Sequence, residues 1–125
     1  MKRLLVFFGV LSLLASLAAC GPIRAASATR GARDELYKAR LAKADEIEKG
    51  KKYITQAQYQ YRLATLYLEK SIELQGFAKY DAAFFYATKA AQLGNESVKN
   101  KAEEERRKIR REQIRAGKIL NKQPD

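Results

Sequence analysis

The regular spacing of apolar side chains between residues 53 and 93 is the feature that most constrains the fold. In the first half of this segment they recur at steps of three and four residues, the period of one helix face. After Gly76 the pattern resumes, with alanines set opposite aromatic rings, as close helix packing requires. The segment therefore predicts an antiparallel helical hairpin over 53–93. Its defining positions are Ile54, Ala57, Tyr61, Ala64, Leu68 and Ile72 in the first helix, and Tyr80, Phe84, Ala87 and Ala91 in the second.

A further helix is predicted before the hairpin, over residues 34–49. Residues 20–33 carry small and polar side chains without a sustained period and predict a flexible tether. Two helices rarely form a sufficient core, so the 34–49 helix or a partner must pack on the hairpin. The predicted fold class is all-α, with a hairpin or three-helix arrangement in a domain over 34–94. The apolar positions of the 34–49 helix are Leu36, Tyr37, Leu41, Ala44 and Ile47, and the glycines predicted to end helices are Gly50, Gly76, Gly94 and Gly117.

Residues 95–125 form a charged tail with ten basic and six acidic side chains. Its few apolar residues and its glutamate-to-lysine or arginine pairs at helical spacing predict a solvated helix. This helix either restarts at Asn100, which forms a capping box with Glu103, or continues from the hairpin through Gly94. Its cations either bind an anionic surface or keep the helix soluble. The candidate binding residues are Arg106, Arg107, Lys108, Arg110 and Arg111.

The chain contains no histidine. This excludes Ser-His-Asp and Cys-His nucleophilic catalysis and the commonest zinc and haem ligand sets. Carboxylates at the spacings present are typical of ion pairs, so no metal site and no cofactor are predicted. The sequence therefore predicts a protein that is not an enzyme. A net charge of +11 indicates an anionic partner, which could be nucleic acid, phospholipid, lipopolysaccharide or an acidic protein.

The first twenty-one residues reduce these alternatives. Lys2 and Arg3 precede an uncharged apolar stretch over 4–19, which ends in Leu-Ala-Ala before Cys20 and Gly21. This arrangement resembles a bacterial lipoprotein signal peptide with its lipobox. Small side chains suit a peptidase groove, and a thiol can accept diacylglycerol as a thioether. The alternatives are an ordinary secretory signal or an uncleaved anchor, although sixteen apolar residues fall short of the roughly 20 that a spanning helix needs.

The lipoprotein resemblance has several implications. The signal peptide 1–19 would be removed between Ala19 and Cys20, and the mature chain would carry acyl lipid on Cys20, its sole cysteine. Membrane contact would then be made through this lipid anchor. Export would separate the protein from nucleic acid. Gly21 after the cysteine implies delivery to the outer membrane, with the protein facing the periplasm.

A second resemblance concerns the hairpin. Residues 79–83 read Lys-Tyr-Asp-Ala-Ala, and Ala90 follows Ala83 by seven residues. This pattern resembles the second helix of a tetratricopeptide repeat. Tyr67, Ser71 and Leu74 match positions of its first helix. The resemblance implies a single helical hairpin, and the whole chain is similar to short bacterial envelope lipoproteins whose helical domain has no assigned function.

Two functional hypotheses follow. In the first, the protein is an accessory or scaffold subunit of a cell-envelope complex, with an envelope protein as its partner. In the second, the basic tail binds peptidoglycan or lipopolysaccharide as a cationic tether. Tyr59 and Phe85 fall off the main apolar stripes and are the candidate exposed aromatic residues for a protein contact.

Overall fold

The computed structural model describes the backbone of residues 2–46 and 53–120 and the side chains of 20–46 and 53–117. Within these residues it contains three helices: α1 (Lys2–Leu41), α2 (Gln56–Gly76) and α3 (Tyr80–Leu120). The all-α prediction is confirmed: α2 and α3 form the hairpin, and α1 packs on it. Gly50, predicted to end a helix, lies outside the described residues.

The long helix α3 is the element against which both other helices pack most extensively. At one end of the bundle Ala25 of α1 contacts Leu74 of α2 and Ala83 of α3. At the other end Ala39 clusters with Ala57, and Val98 packs against them. The sequence order of these contacts makes α2 antiparallel to both neighbours and α1 parallel to α3.

The centre of the bundle is built from small side chains rather than large ones. The buried positions of α1 and α3 recur at alternating steps of four and three residues, which is the heptad spacing of helices that pack side by side. Because most of these side chains are small, the helix backbones can approach closely. The buried positions are Ala25, Thr29, Ala32, Leu36 and Ala39 in α1, and Ala83, Ala87, Ala90, Gly94 and Ser97 in α3.

Gly94 marks the point of closest approach between α1 and α3. A Cβ atom built on Gly94 would lie 3.2 Å from Cβ of Glu35, 3.3 Å from the backbone carbon of Glu35 and 3.4 Å from the backbone nitrogen of Leu36. Two of these three atoms belong to the α1 backbone and cannot move without moving the helix. The absence of a side chain at Gly94 therefore allows the contact.

A buried polar layer crosses all three helices near one end of the bundle. The Ser71 hydroxyl donates to the carbonyl oxygen of Ala83 at 2.8 Å and lies 3.1 Å from the Thr29 hydroxyl. The Gln75 amide also donates to Thr29. Every buried side-chain polar atom within the described residues has a hydrogen-bond partner. Since an unpaired group here would be costly, this layer fixes which residues face each other.

A second polar group joins α2 and α3 farther along the bundle. The buried Gln60 donates to a carboxylate oxygen of Glu96 at 3.0 Å and accepts from the amide of Asn100. Glu96 also accepts from Gln92 at 3.0 Å. These bonds hold the start of α2 against the middle of α3.

The predicted tether and the predicted ends of two helices differ from the structure. Residues 20–33 belong to α1, because their small side chains pack against the hairpin instead of linking it to an anchor. That helix ends at Leu41 rather than at 49, and the chain turns at Lys43, where φ is 59°. Gly94 and Gly117 lie inside α3, so the charged tail continues the hairpin helix without a restart at Asn100.

Local signals explain the ends of α2. Thr55 and Gln58 form a reciprocal capping box at its start, which satisfies two backbone donors that a helix end leaves open. Gly76 ends the helix as predicted, and Ala78 adopts a positive φ of 55° in the turn that follows. The amide of Lys79 donates to the carbonyl oxygen of Leu74 at 2.9 Å, which closes the α2–α3 turn.

Candidate functional site

The predicted lipidation residue Cys20 lies exposed on α1 at the end of the bundle that holds the α2–α3 turn. The next residue fixes this position, since a Cβ built on Gly21 would lie 3.4 Å from Cβ of Tyr80, the first residue of α3. The helix backbone continues past Cys20 toward residue 2. Ala19, on the other side of the predicted cleavage point, has its side chain outside the described set.

An open groove lies beside Cys20, between α1 and α3. Its volume is about 560 Å³, and its surface is mostly apolar. The guanidinium carbon of Arg24 lies 4.0 Å from the centre of the Phe84 ring, so a cation–π contact forms part of the groove wall. Ser27 is a polar residue within this lining. The lining side chains are Cys20, Ile23, Arg24, Ser27, Ala28 and Phe84.

The predicted basic residues lie at the opposite end of the molecule. Thirty residues of continuous helix separate Tyr80 from Arg110, which is about 45 Å at a rise of 1.5 Å per residue. Residues 109–117 of α3 are all exposed. We call the segment 101–117 the basic arm. The structure thus places the candidate anion-binding residues far along α3 from Cys20, whose neighbour Gly21 packs beside the first residue of that helix.

The basic arm has a paired face. The Glu105 carboxylate forms ion pairs with Lys101 at 3.5 Å and with Lys108 at 3.2 Å. The hydrogen bond from Lys108, together with the positive charges of Lys108 and Lys101, lowers the pKa of the Glu105 carboxyl from its usual value. The Glu105 carboxylate therefore stays charged at neutral pH and can pair with both lysines.

The other face of the basic arm carries arginines with fewer partners. Arg107 pairs with Glu103 at 3.2 Å. Within the described part of the chain, no ion pair involves Arg106, Arg110 or Arg111. A shallow depression of about 200 Å³ is lined by Glu103, Arg106, Arg107 and Arg110. The guanidinium groups of Arg106 and Arg110 are available to anionic ligands, and bidentate pairing with carboxylate or phosphate suits their geometry.

The predicted aromatic residues are exposed on the hairpin. Tyr59 is 57% exposed and Phe85 is 55% exposed. The Phe85 ring packs edge-on against Tyr86 at 5.6 Å, and Tyr86 packs against Tyr67 of α2 at the same centroid distance, so Phe85 is linked to the α2 side of α3. Leu66, two turns after Tyr59 on α2, is also exposed. We call these three exposed side chains, Tyr59 and Leu66 of α2 and Phe85 of α3, the hairpin patch.

The described residues show neither a metal cluster nor a membrane-spanning segment. They contain no group of three or more His, Cys, Asp or Glu residues able to hold a metal ion. Across the same residues, no helix has an apolar stretch sufficient to cross a bilayer.

Comparison of the chain with models of known families, with curated proteins and with solved structures found no match.

Proposed function

We propose that the protein is a bacterial envelope lipoprotein anchored through acyl lipid on Cys20 at the periplasmic face of the outer membrane. It acts without catalysis as an accessory or scaffold subunit of a cell-envelope complex. One arrangement carries this proposal: the candidate anchor lies at one end of a rigid bundle, and the charged arm at the other. A stiff element of this kind suits a protein that holds a partner at a fixed height above a membrane.

The anchor is supported by the sequence and by its place in the fold. Cys20 follows two small residues and is exposed at the point where α1 leaves the bundle. Lipid attached there would extend from an exposed side chain at the end of the bundle. Since two acyl chains give stable anchoring where one does not, the modification would be sufficient to retain the protein.

The scaffold role is supported by the hairpin patch. Aromatic side chains are enriched at protein interfaces, and tyrosine is common among hot-spot residues. The resemblance of the hairpin to a tetratricopeptide repeat, a prediction from sequence, is consistent with a protein partner. No catalytic arrangement is part of this proposal.

A crosslinking experiment in cells tests the scaffold role. A photoreactive residue at Tyr59 or Phe85 is expected to give a crosslink to the same partner protein, because the proposal has one partner covering the hairpin. The matched control is a photoreactive residue at Arg33, an exposed position on α1, which is expected to give none. Identical products from all three positions, or none from Tyr59 and Phe85, would contradict the role of the patch.

A second candidate function is a cationic tether to peptidoglycan or lipopolysaccharide. It is favoured by the arginines of the basic arm that have no ion pair within the described residues. An arm about 45 Å from the anchor end suits a polymer that lies away from the membrane surface better than one within it.

Charge removal on the basic arm tests the tether. The variant Arg106→Gln/Arg110→Gln/Arg111→Gln is expected to bind purified cell wall at least about tenfold more weakly at low salt. The substitutions remove three charges from a multivalent ionic contact. The control Arg30→Gln/Arg33→Gln/Arg62→Gln removes three exposed charges elsewhere and is expected to bind as wild type. Binding is measured by co-sedimentation, with lipopolysaccharide as a parallel target.

Salt supplies the second readout of this experiment. At roughly 0.5 M salt the screening length falls to about 4 Å, so a purely electrostatic contact should release. Wild-type binding that survives this salt, or equal losses in both triple variants, would reject an electrostatic tether through the basic arm.

A further inference from the structure

We propose that the end of the bundle next to Cys20 contacts the membrane directly, with Phe77 and Ile23 lying in the interfacial layer of the bilayer. The inference rests on the proposed lipid anchor and goes beyond it, because an anchor alone leaves the orientation of the bundle free. We call Ile23, Phe77 and the groove residue Phe84 the membrane-facing end.

Two apolar side chains at this end are exposed without serving the core. Phe77 is 67% exposed and Ile23 is 68% exposed. Phe77 lies at the tip of the α2–α3 turn, where its amide donates to the carbonyl oxygen of Leu74 at 3.2 Å. The turn is closed by the further bond from Lys79 to Leu74, so its backbone is held in place. The chain thus presents an aromatic side chain at the end of the bundle.

The polar groups around these side chains suit a phospholipid surface. Arg24 lies over the Phe84 ring, and Lys79 is exposed two residues after Phe77. A basic side chain can extend to a lipid phosphate while its stem lies along apolar surface. Asp81 is the acidic residue in the first turn of α3, where the helix dipole stabilises its charge. The mixture of exposed apolar and cationic groups is typical of surfaces that lie at a bilayer interface.

The direction of α1 identifies the occupant of this surface as lipid rather than protein. The α1 helix leaves the bundle at this end, and the residues beyond it, 4–19, form the apolar stretch of the sequence. If the stretch is removed, acylated Cys20 emerges here, and if it is retained, an apolar helix does. Both outcomes bring hydrocarbon to the same end of the bundle. The membrane-facing end then lies on the bilayer, and the basic arm points away from it.

Tryptophan fluorescence can test this orientation because the natural chain contains no tryptophan. The variants Phe77→Trp and Ile23→Trp place a reporter at the membrane-facing end, and Tyr59→Trp and Ile114→Trp place matched exposed reporters near the start of α2 and on the basic arm. Each variant, expressed from the full sequence, is purified from bacterial membranes and reconstituted into phosphatidylethanolamine and phosphatidylglycerol vesicles, with and without brominated acyl chains.

We expect brominated lipid to quench Phe77→Trp and Ile23→Trp several-fold more than Tyr59→Trp and Ile114→Trp. Using two reporters at the membrane-facing end guards against a local effect of either substitution. Flotation of the same vesicles reports anchoring separately from orientation.

Three outcomes overturn the inference. Chains that float with vesicles but show no quenching of Phe77→Trp and Ile23→Trp would leave the lipid anchor intact and reject the membrane-facing end. Equal quenching of all four reporters would show a bundle lying flat on the bilayer. Chains that do not float would reject the lipid anchor, and the orientation with it.

Discussion

The variant Cys20→Ala is expected to leave the membrane fraction and to appear as a soluble periplasmic protein. Without the thiol no thioether lipid can form, and the two or three acyl chains of the proposed anchor are lost together. A single myristoyl chain gives a membrane association constant of only about 10⁴ M⁻¹, and each further buried methylene contributes about 0.8 kcal/mol. Loss of two or three chains at once therefore lowers the membrane association constant by orders of magnitude.

Alanine is the informative substitution at this position. Ala18 and Ala19 remain, and a third small residue after them resembles an ordinary secretory cleavage site, so the apolar stretch 4–19 can still be removed. The matched control is Ser27→Ala, an exposed groove residue on the same helix, which is expected to stay in the membrane fraction. Fractionation followed by detergent phase separation measures both. A cleaved Cys20→Ala protein that remains in the membrane would show that another part of the chain holds it there.

The variant Gly94→Val is expected to destabilise the bundle by about 3 kcal/mol or more, the upper range for overpacking a close contact. The added side chain would press on the backbone of Glu35 and Leu36, so α1 must shift away from α3 or the helices must separate. The smaller change Gly94→Ala gains about 1 kcal/mol of helix propensity but meets the same backbone. Its stability is expected to lie between that of the wild type and that of Gly94→Val.

Gly31→Ala is the matched control for Gly94. Gly31 also lies inside a helix, but a Cβ there would meet nothing within 4 Å. This variant is expected to gain about 0.5–1 kcal/mol from helix propensity alone. Thermal unfolding of the soluble Cys20→Ala form, followed by circular dichroism, compares all three variants. Equal melting temperatures for the wild type and Gly94→Val would show that α1 does not pack on α3 at this position.

Helical periodicity was sufficient to predict the hairpin, because Ala57, Ala64 and Ala87 are buried as the predicted stripes require. The buried face of α3 is nevertheless centred on Ala83, Ala87 and Ala90 rather than on Tyr80, Phe84 and Ala91. The prediction failed where it gave more weight to large side chains than to small ones. Tyr37, Leu41, Ile54 and Ile72 were predicted to face the core and are exposed. In a bundle whose backbones approach closely, the central positions have no room for them.

The same physical reason explains the missed start of the packed part of α1. Alanine, serine, threonine and glycine are typical of both flexible linkers and tightly packed helix faces, and composition does not distinguish the two. The distinguishing signal is the spacing of Ala25, Thr29, Ala32, Leu36 and Ala39, at alternating steps of four and three. It becomes visible only when small residues are counted as core.

The candidate sites were predicted unevenly. The sequence identifies Cys20 and the arginines of the basic arm, because short motifs and charge runs are local. Their separation at opposite ends of the molecule was not predicted, since it depends on α3 continuing through Gly94. The burial of Gln60 had no sequence signal, because its role comes from Glu96 and Asn100, which are distant in the chain.

Lipid attached to Cys20, as the first residue of the mature protein, is the central premise of the proposed function. Intact-mass and N-terminal peptide analysis of the protein purified from bacterial membranes tests this directly. We predict a chain that begins at Cys20 and carries the added mass of diacylglycerol, with or without a further acyl chain on its amino group. A mature chain that begins elsewhere, or one that begins at Cys20 without added lipid, would contradict it.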